Sequence, residues 1–125
     1  MSKTLFEQEG FDLMAAAFAV HSTIGGGMAE EIYQESMEIE LGLRAIPFLS
    51  KPPLLMRYKG QTLKKEYFPD LLLHQGIVTE LKAVSKLLPE HEAQLLNYLR
   101  ITGLLVGYLI NFGPMQKVEW KRFVI

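Results

Sequence analysis

The sequence predicts one α/β domain over residues 1–125, with its elements in the order α-α-β-β-β-α-β-β. Three observations carry that prediction. Two helical stretches near the start are separated by Gly25-Gly26-Gly27. Extended runs follow, punctuated by Gly60 and by His74-Gln75-Gly76. A helix opened by Pro89 and closed by Gly103 then leads into a continuous apolar run.

Each element has a local reason. Thr4-x-x-Glu7 has the form of a capping box, but Gly10 makes the first few residues a poor helix start, so the first helix is drawn over residues 11–23. Leu13, Met14, Ala17, Phe18 and His21 share one side of it. The glycines at 25–27 break it. They lack the preceding strand and the following Lys-Ser or Lys-Thr of a phosphate loop, and read as a helix–helix turn. A second helix over 28–41 ends at Gly42, and Pro47, Pro52 and Pro53 mark a loop. Residues 54–59 read as a strand turning through Gly60 into a second over 62–73, with 77–84 as the third. Pro89 suits the first helical position, where its missing N–H has no partner anyway, and that helix runs to about residue 101. Residues 104–112 are almost wholly apolar, as expected of a strand buried on both faces, and 117–124 supply the last strand. Trp120 and the methionines are assigned to the core. His21, on an apolar face, is assigned to a buried and hydrogen-bonded role.

Composition narrows the function classes. A chain of 125 residues lies in the single-domain range and can bury a core. With 49% apolar and 22% charged residues, it has the balance of a globular protein rather than a disordered one. The absence of cysteine excludes disulfides, thiolate metal sites and Cys nucleophiles, and fits a reducing cytoplasm. No basic segment followed by an apolar stretch marks a secretory leader. The apolar runs at 13–20 and 104–110 are too short to span a bilayer. The net charge of −1 conceals an asymmetry: residues 1–50 carry two basic and eight acidic side chains, residues 51–125 eleven and six. Arg57, Lys59, Lys64 and Lys65 fall in the basic half, and clustered Lys and Arg are what contact phosphates. They also suit the solvated edge of a plain hairpin.

The chemistry centres on residues 69–82. Pro69-Asp70 is followed by nine residues and then by Glu80-Leu81-Lys82. If residues 74–76 form a three-residue loop, with Gly76 taking the positive φ of its bulge, Leu73 pairs with Ile77. Asp70 then falls opposite Glu80, and Lys82 points to the same face as Glu80. Carboxylates opposed across strands lie roughly 5 Å apart and repel, which points to a bridging cation. The same spacing suits two unrelated exposed carboxylates, and Lys82 a side chain reaching out to solvent.

Pro69-Asp70…Glu80-x-Lys82 resembles the signature of the PD-(D/E)XK nuclease superfamily. Gly27-x-x-Glu30-x-x-Tyr33 resembles the motif that names the GxxExxY family, a branch of that superfamily. His91-x-x-Gln94-x-x-x-Tyr98-Leu99, Gly107-x-x-Ile110-Asn111-Phe112-Gly113 and Lys121-Arg122 look like that family's C-terminal half. The resemblance covers about residues 10–125. One departure is visible: Ile24-Gly25-Gly26-Gly27 stands where family members often have Leu-Gly-Pro-Gly, which implies a looser turn.

The resemblance implies a restriction-endonuclease-like fold, a mixed β-sheet flanked by helices. It implies a phosphodiesterase dependent on Mg²⁺ or Mn²⁺, hard cations that prefer oxygen ligands, acting on nucleic acid, DNA ahead of RNA. Asp70 and Glu80 would be ligands together with the Leu81 carbonyl, and Glu30 would be an extra acidic ligand from the N-terminal helices. Lys82 would orient the attacking water or neutralise charge in the transition state. Gln94 would touch the nucleophile or the substrate, and Tyr98 the substrate. Duller roles stand beside these. Glu30 and Glu31 both lie where a helix dipole favours any carboxylate; Tyr33 reads as packing, and His91 as a cap or surface residue. A chain this small would grip a duplex as a homodimer or with a partner that supplies specificity. The competing class is a non-catalytic nucleic-acid-binding or protein-interaction domain, since fold does not fix function. Its partner surface would be the acidic N-terminal half.

Overall fold

The computed structural model describes residues 5–125. Helices α1 (Glu7–Ile24) and α2 (Glu30–Leu43) come first, followed by the short strand β1 (Phe48–Ser50). A small hairpin, β2 (Arg57–Tyr58) and β3 (Gln61–Thr62), precedes a second one, β4 (Leu71–Leu73) and β5 (Ile77–Lys82). Helix α3 (Pro89–Thr102) then crosses over to β6 (Val106–Asn111), and β7 (Glu119–Val124) closes the chain. The main sheet is ordered β1-β4-β5-β6-β7, while β2 and β3 form a separate two-stranded sheet. The β5–β6 pair is parallel and the other neighbours in the main sheet are antiparallel. A parallel pair needs a long crossover, and α3 supplies it. Among the described residues no helix is long and apolar enough to cross a membrane.

Alternation along the strands sorts the core into two layers. Leu71, Leu73, Ile77 and Leu81 face α1 and α2, with Leu13, Ala17, Met37 and Leu41 against them. Leu72, Val78 and Leu109 face α3, through Leu95 and Leu99. The unbroken Leu71-Leu72-Leu73 run is therefore covered on both faces. Val78, Glu80 and Lys82 share the α3 face of β5.

Several expectations are corrected. The first strand of the sheet is Phe48–Ser50, within the stretch expected to be loop, and the segment 54–59 contributes only Arg57–Tyr58 to the outlying hairpin. The expected long strand over 62–73 is interrupted, with Leu71–Leu73 alone joining the main sheet. A three-residue strand between Pro47 and Pro52 is too short to show a strand period, and an edge strand tolerates flanking prolines. With that substitution the main sheet keeps three strands before α3 and two after it.

Helix α1 begins at Glu7 and includes Gly10. A Cβ on Gly10 would lie 1.8 Å from the Tyr108 hydroxyl, so the glycine is there for close packing rather than to break the helix. The expected capping box involves Thr4, which lies outside the described residues. Helix α2 runs through Gly42 to Leu43. Phe18, Trp120, Met28 and Met115 are exposed rather than core, whereas Met14, Met37 and Met56 are buried. Phe18 lies on the outer edge of the α1 stripe, and Trp120 on a sheet edge that no strand covers.

In the β4–β5 hairpin Leu73 pairs with Ile77 as expected. The left-handed residues are His74 (φ 52°) and Gln75 (φ 58°), not Gly76. Gly76 is instead packed closely by the Phe6 ring, whose outer edge would lie 2.5 Å from a Cβ there. Elsewhere His21 is buried and hydrogen-bonded through Nε2 to the Pro114 carbonyl at 2.8 Å. His91 Nδ1 accepts from the Leu88 N–H at 3.0 Å and caps α3.

Candidate active site

Asp70 lies at the entrance to β4, one step outward from the Leu71–Thr79 pair, and this brings it to Glu80. The two carboxylates are tied together through backbone. The Asp70 N–H donates to Glu80 Oε1 at 3.0 Å, and the Leu81 N–H donates to Asp70 Oδ2 at 2.7 Å. The Tyr67 hydroxyl donates to Glu80 Oε2 at 2.8 Å. These donors hold two like charges side by side without neutralising them.

The electrostatics follow. Burial, and then the negative charge of Asp70, push the Glu80 carboxyl up to about 7. The Asp70 N–H, the Tyr67 hydroxyl and the Lys82 ammonium oppose that rise without cancelling it. Burial and the nearby Glu80 raise the Tyr67 hydroxyl above the usual tyrosine range, so it remains a donor. A carboxylate held above its ordinary value by burial and by a neighbouring carboxylate gains from a nearby cation. The hard oxygen donors of Asp70 and Glu80 fit Mg²⁺ or Mn²⁺ in chemistry.

The other predicted residues fall at graded distances from this pair. Lys82 is on the Glu80 face of β5 and makes no ion pair among the described residues. Leu81 meets Asp70 through its N–H. Glu30 is exposed at the start of α2 and lines a hollow of about 280 Å³ with Glu31, Gln34, Lys51 and Asp70. It does not close onto the pair: among the described residues no three His, Cys, Asp or Glu side chains are placed to hold one metal ion. Tyr98 stacks on Tyr67 with ring centroids 3.7 Å apart, so it reaches Glu80 through that ring. Gln94 is exposed and lines a neighbouring hollow of about 420 Å³ with Met56, Asn97 and Tyr98. Tyr33 is fully buried, stacked on Phe112, and donates to the Gly25 carbonyl at 2.6 Å while accepting from the Met28 N–H at 3.1 Å. It pins the glycine turn from both ends.

Two residues at the site escaped the sequence reading. Tyr67 precedes Asp70 by three residues in an irregular segment, and no spacing rule marks it. Gln34 donates to the Asp70 carbonyl at 2.9 Å and to Glu38 Oε2 at 2.8 Å. It was accessible, since it lies four residues after Glu30 on the same helical face.

The chain belongs to the PD-(D/E)XK nuclease superfamily, which matches residues 7–123. The solved structure of SSO0001 superposes with a TM-score of 0.59 at 22% identity, over 97% of this chain and 60% of that one. That likeness bears on the fold alone, and this chain spans less than two thirds of the other. No curated protein matches.

Proposed function

We propose that residues 1–125 form a single nuclease domain of the GxxExxY type, cleaving phosphodiester bonds in DNA or RNA with Mg²⁺ or Mn²⁺. The observation that carries this is the Asp70–Glu80 pair, held together by backbone N–H groups with Glu80 pushed up to about 7, in a chain of a nuclease superfamily. Asp70 and Glu80 would hold the cation with the Leu81 carbonyl, and Glu30, which lines the same hollow as Asp70 without closing onto the pair, would have to move in to complete its shell. A bound divalent cation supplies charge neutralisation at the scissile phosphate and acidifies a water. Tyr67 fixes the Glu80 carboxylate through its hydroxyl, and Gln34 fixes the Asp70 backbone. Lys82, on the face of Glu80, orients the attacking water or stabilises the charge that builds on the phosphate oxygens. Gln94 contacts substrate from α3, and Tyr98 supports Tyr67 and borders the substrate path.

The second reading, a non-catalytic nucleic-acid-binding or protein-interaction domain, draws on the absence of a third acidic ligand around the pair among the described residues. One experiment separates them. Wild type, Asp70→Ala and Glu80→Ala are incubated with single-stranded, duplex and branched DNA and with RNA in Mg²⁺ or Mn²⁺, and binding is measured in Ca²⁺. Cleavage by wild type alone, with binding in the variants within a fewfold, is the expected outcome. Tight binding without cleavage by wild type overturns the nuclease reading.

A further inference from the structure

The β2–β3 hairpin stands outside the main sheet, and all four of its strand residues are exposed. Residues 57–65 carry Arg57, Lys59, Lys64 and Lys65 and no carboxylate. None of these cations is in an ion pair; those among the described residues are Arg44–Glu40 and Lys121–Glu92. Tyr58 sits among them 61% exposed, with Lys59 Nζ 5.4 Å from its ring centroid. Lys59 (φ 48°) and Gly60 (φ 78°) form a tight left-handed turn that presents this pair at the tip. Phe68, also exposed, comes two residues before Asp70.

The hairpin is joined to the carboxylates by packing. Leu54 bridges to Tyr67 at its root. Met56, immediately before β2, shares a hollow with Gln94 and Tyr98. Tyr98 stacks on Tyr67, which donates to Glu80. A chain lying across the hairpin would therefore be on the face of the sheet that carries Glu80 and Lys82.

Cations without an ion-pair partner, one of them over an exposed ring and another, Arg57, hydrogen-bonded to Thr62 within the hairpin, match one ligand chemistry. Cations follow phosphates, and an aromatic face takes a base whose own faces are open. Bases in a duplex are stacked on both sides and offer no such face. We propose that the β2–β3 hairpin binds single-stranded nucleic acid, with Tyr58 as the stacking platform and Arg57, Lys59, Lys64 and Lys65 on the phosphates. The proposal rests on the nucleic-acid reading above and adds the strandedness of the substrate.

The test is fluorescence anisotropy of the full chain, without divalent metal, on a labelled single-stranded oligonucleotide and a blunt duplex of equal length. The single strand should bind more tightly. Tyr58→Ala should lose roughly tenfold on the single strand, the loss of one base–aromatic stack, and leave duplex affinity unchanged. Tyr58→Phe should retain wild-type affinity. Lys64→Gln with Lys65→Gln should flatten the salt slope by roughly 0.7 per charge removed. Equal affinity for the two forms, or full single-strand affinity in Tyr58→Ala, overturns the proposal. Tyr58-dependent binding without cleavage in Mg²⁺ would remove the nuclease reading and leave this one. Cleavage with Tyr58-independent binding would do the reverse.

Discussion

Replacing Glu80 with Gln should flatten the pH dependence of stability in the metal-free protein. In the unfolded chain Glu80 ionises near its ordinary value of 4.5; in the fold it keeps its proton until about 7. Between those values the folded state binds more protons, so raising the pH favours unfolding. The stability contributed by protonated Glu80 is present in full below 4.5 and is lost as the pH passes through 7. At 1.36 kcal/mol per pH unit, the loss is about 3 kcal/mol. Gln is close to isosteric and always neutral. Its carbonyl can take the Asp70 N–H, and the Tyr67 hydroxyl can rotate to accept from its amide. Urea unfolding in EDTA, at intervals from pH 4.5 to 8, should show wild type losing about 3 kcal/mol relative to Glu80→Gln. Saturating Mg²⁺ or Mn²⁺ should then restore wild type at the high end and leave the variant unmoved. Parallel pH curves for the two proteins would refute the argument, because they would mean that burial and the Asp70 charge do not raise Glu80 as described.

Three further outcomes are expected. Asp70→Asn should erase the rise in Tm with divalent metal while leaving the metal-free protein as stable or slightly more so; an unchanged rise in thermal melts would place the metal elsewhere. Lys82→Ala should lower kcat on the order of 10²-fold with metal affinity nearly intact, and equal loss of both in titration and turnover would recast Lys82 as a counter-charge for the carboxylates. Tyr33→Phe should destabilise by about 1–2 kcal/mol in urea unfolding, since its hydroxyl bridges Gly25 and Met28, with turnover per folded molecule unchanged.

The hairpin register was legible because local chemistry decides it. Leu73–Ile77 pairing follows from loop length, and the Asp70–Glu80 approach follows from that pairing. The Pro89 start and Gly103 end of α3 were legible for the same reason: each is set by backbone demands within one turn of helix. The role of Gly76 was misread because it has no positive φ, and what packs closely on it is a ring distant in sequence, Phe6. β1 was missed because a three-residue edge strand shows its identity only through its pairing with β4.

By itself, then, the sequence determined the three helices, the β4–β5 register, the α3 crossover and which carboxylates meet, since these follow from period, turn chemistry and spacing. Tertiary structure alone decided the surroundings of the pair. Tyr67 reaches Glu80, and Gln34 reaches the Asp70 backbone, through contacts between segments far apart in the chain. Burial and the charge of Asp70 then set where Glu80 titrates. Desolvation and charge proximity are properties of the assembled packing, which no run of neighbouring residues encodes.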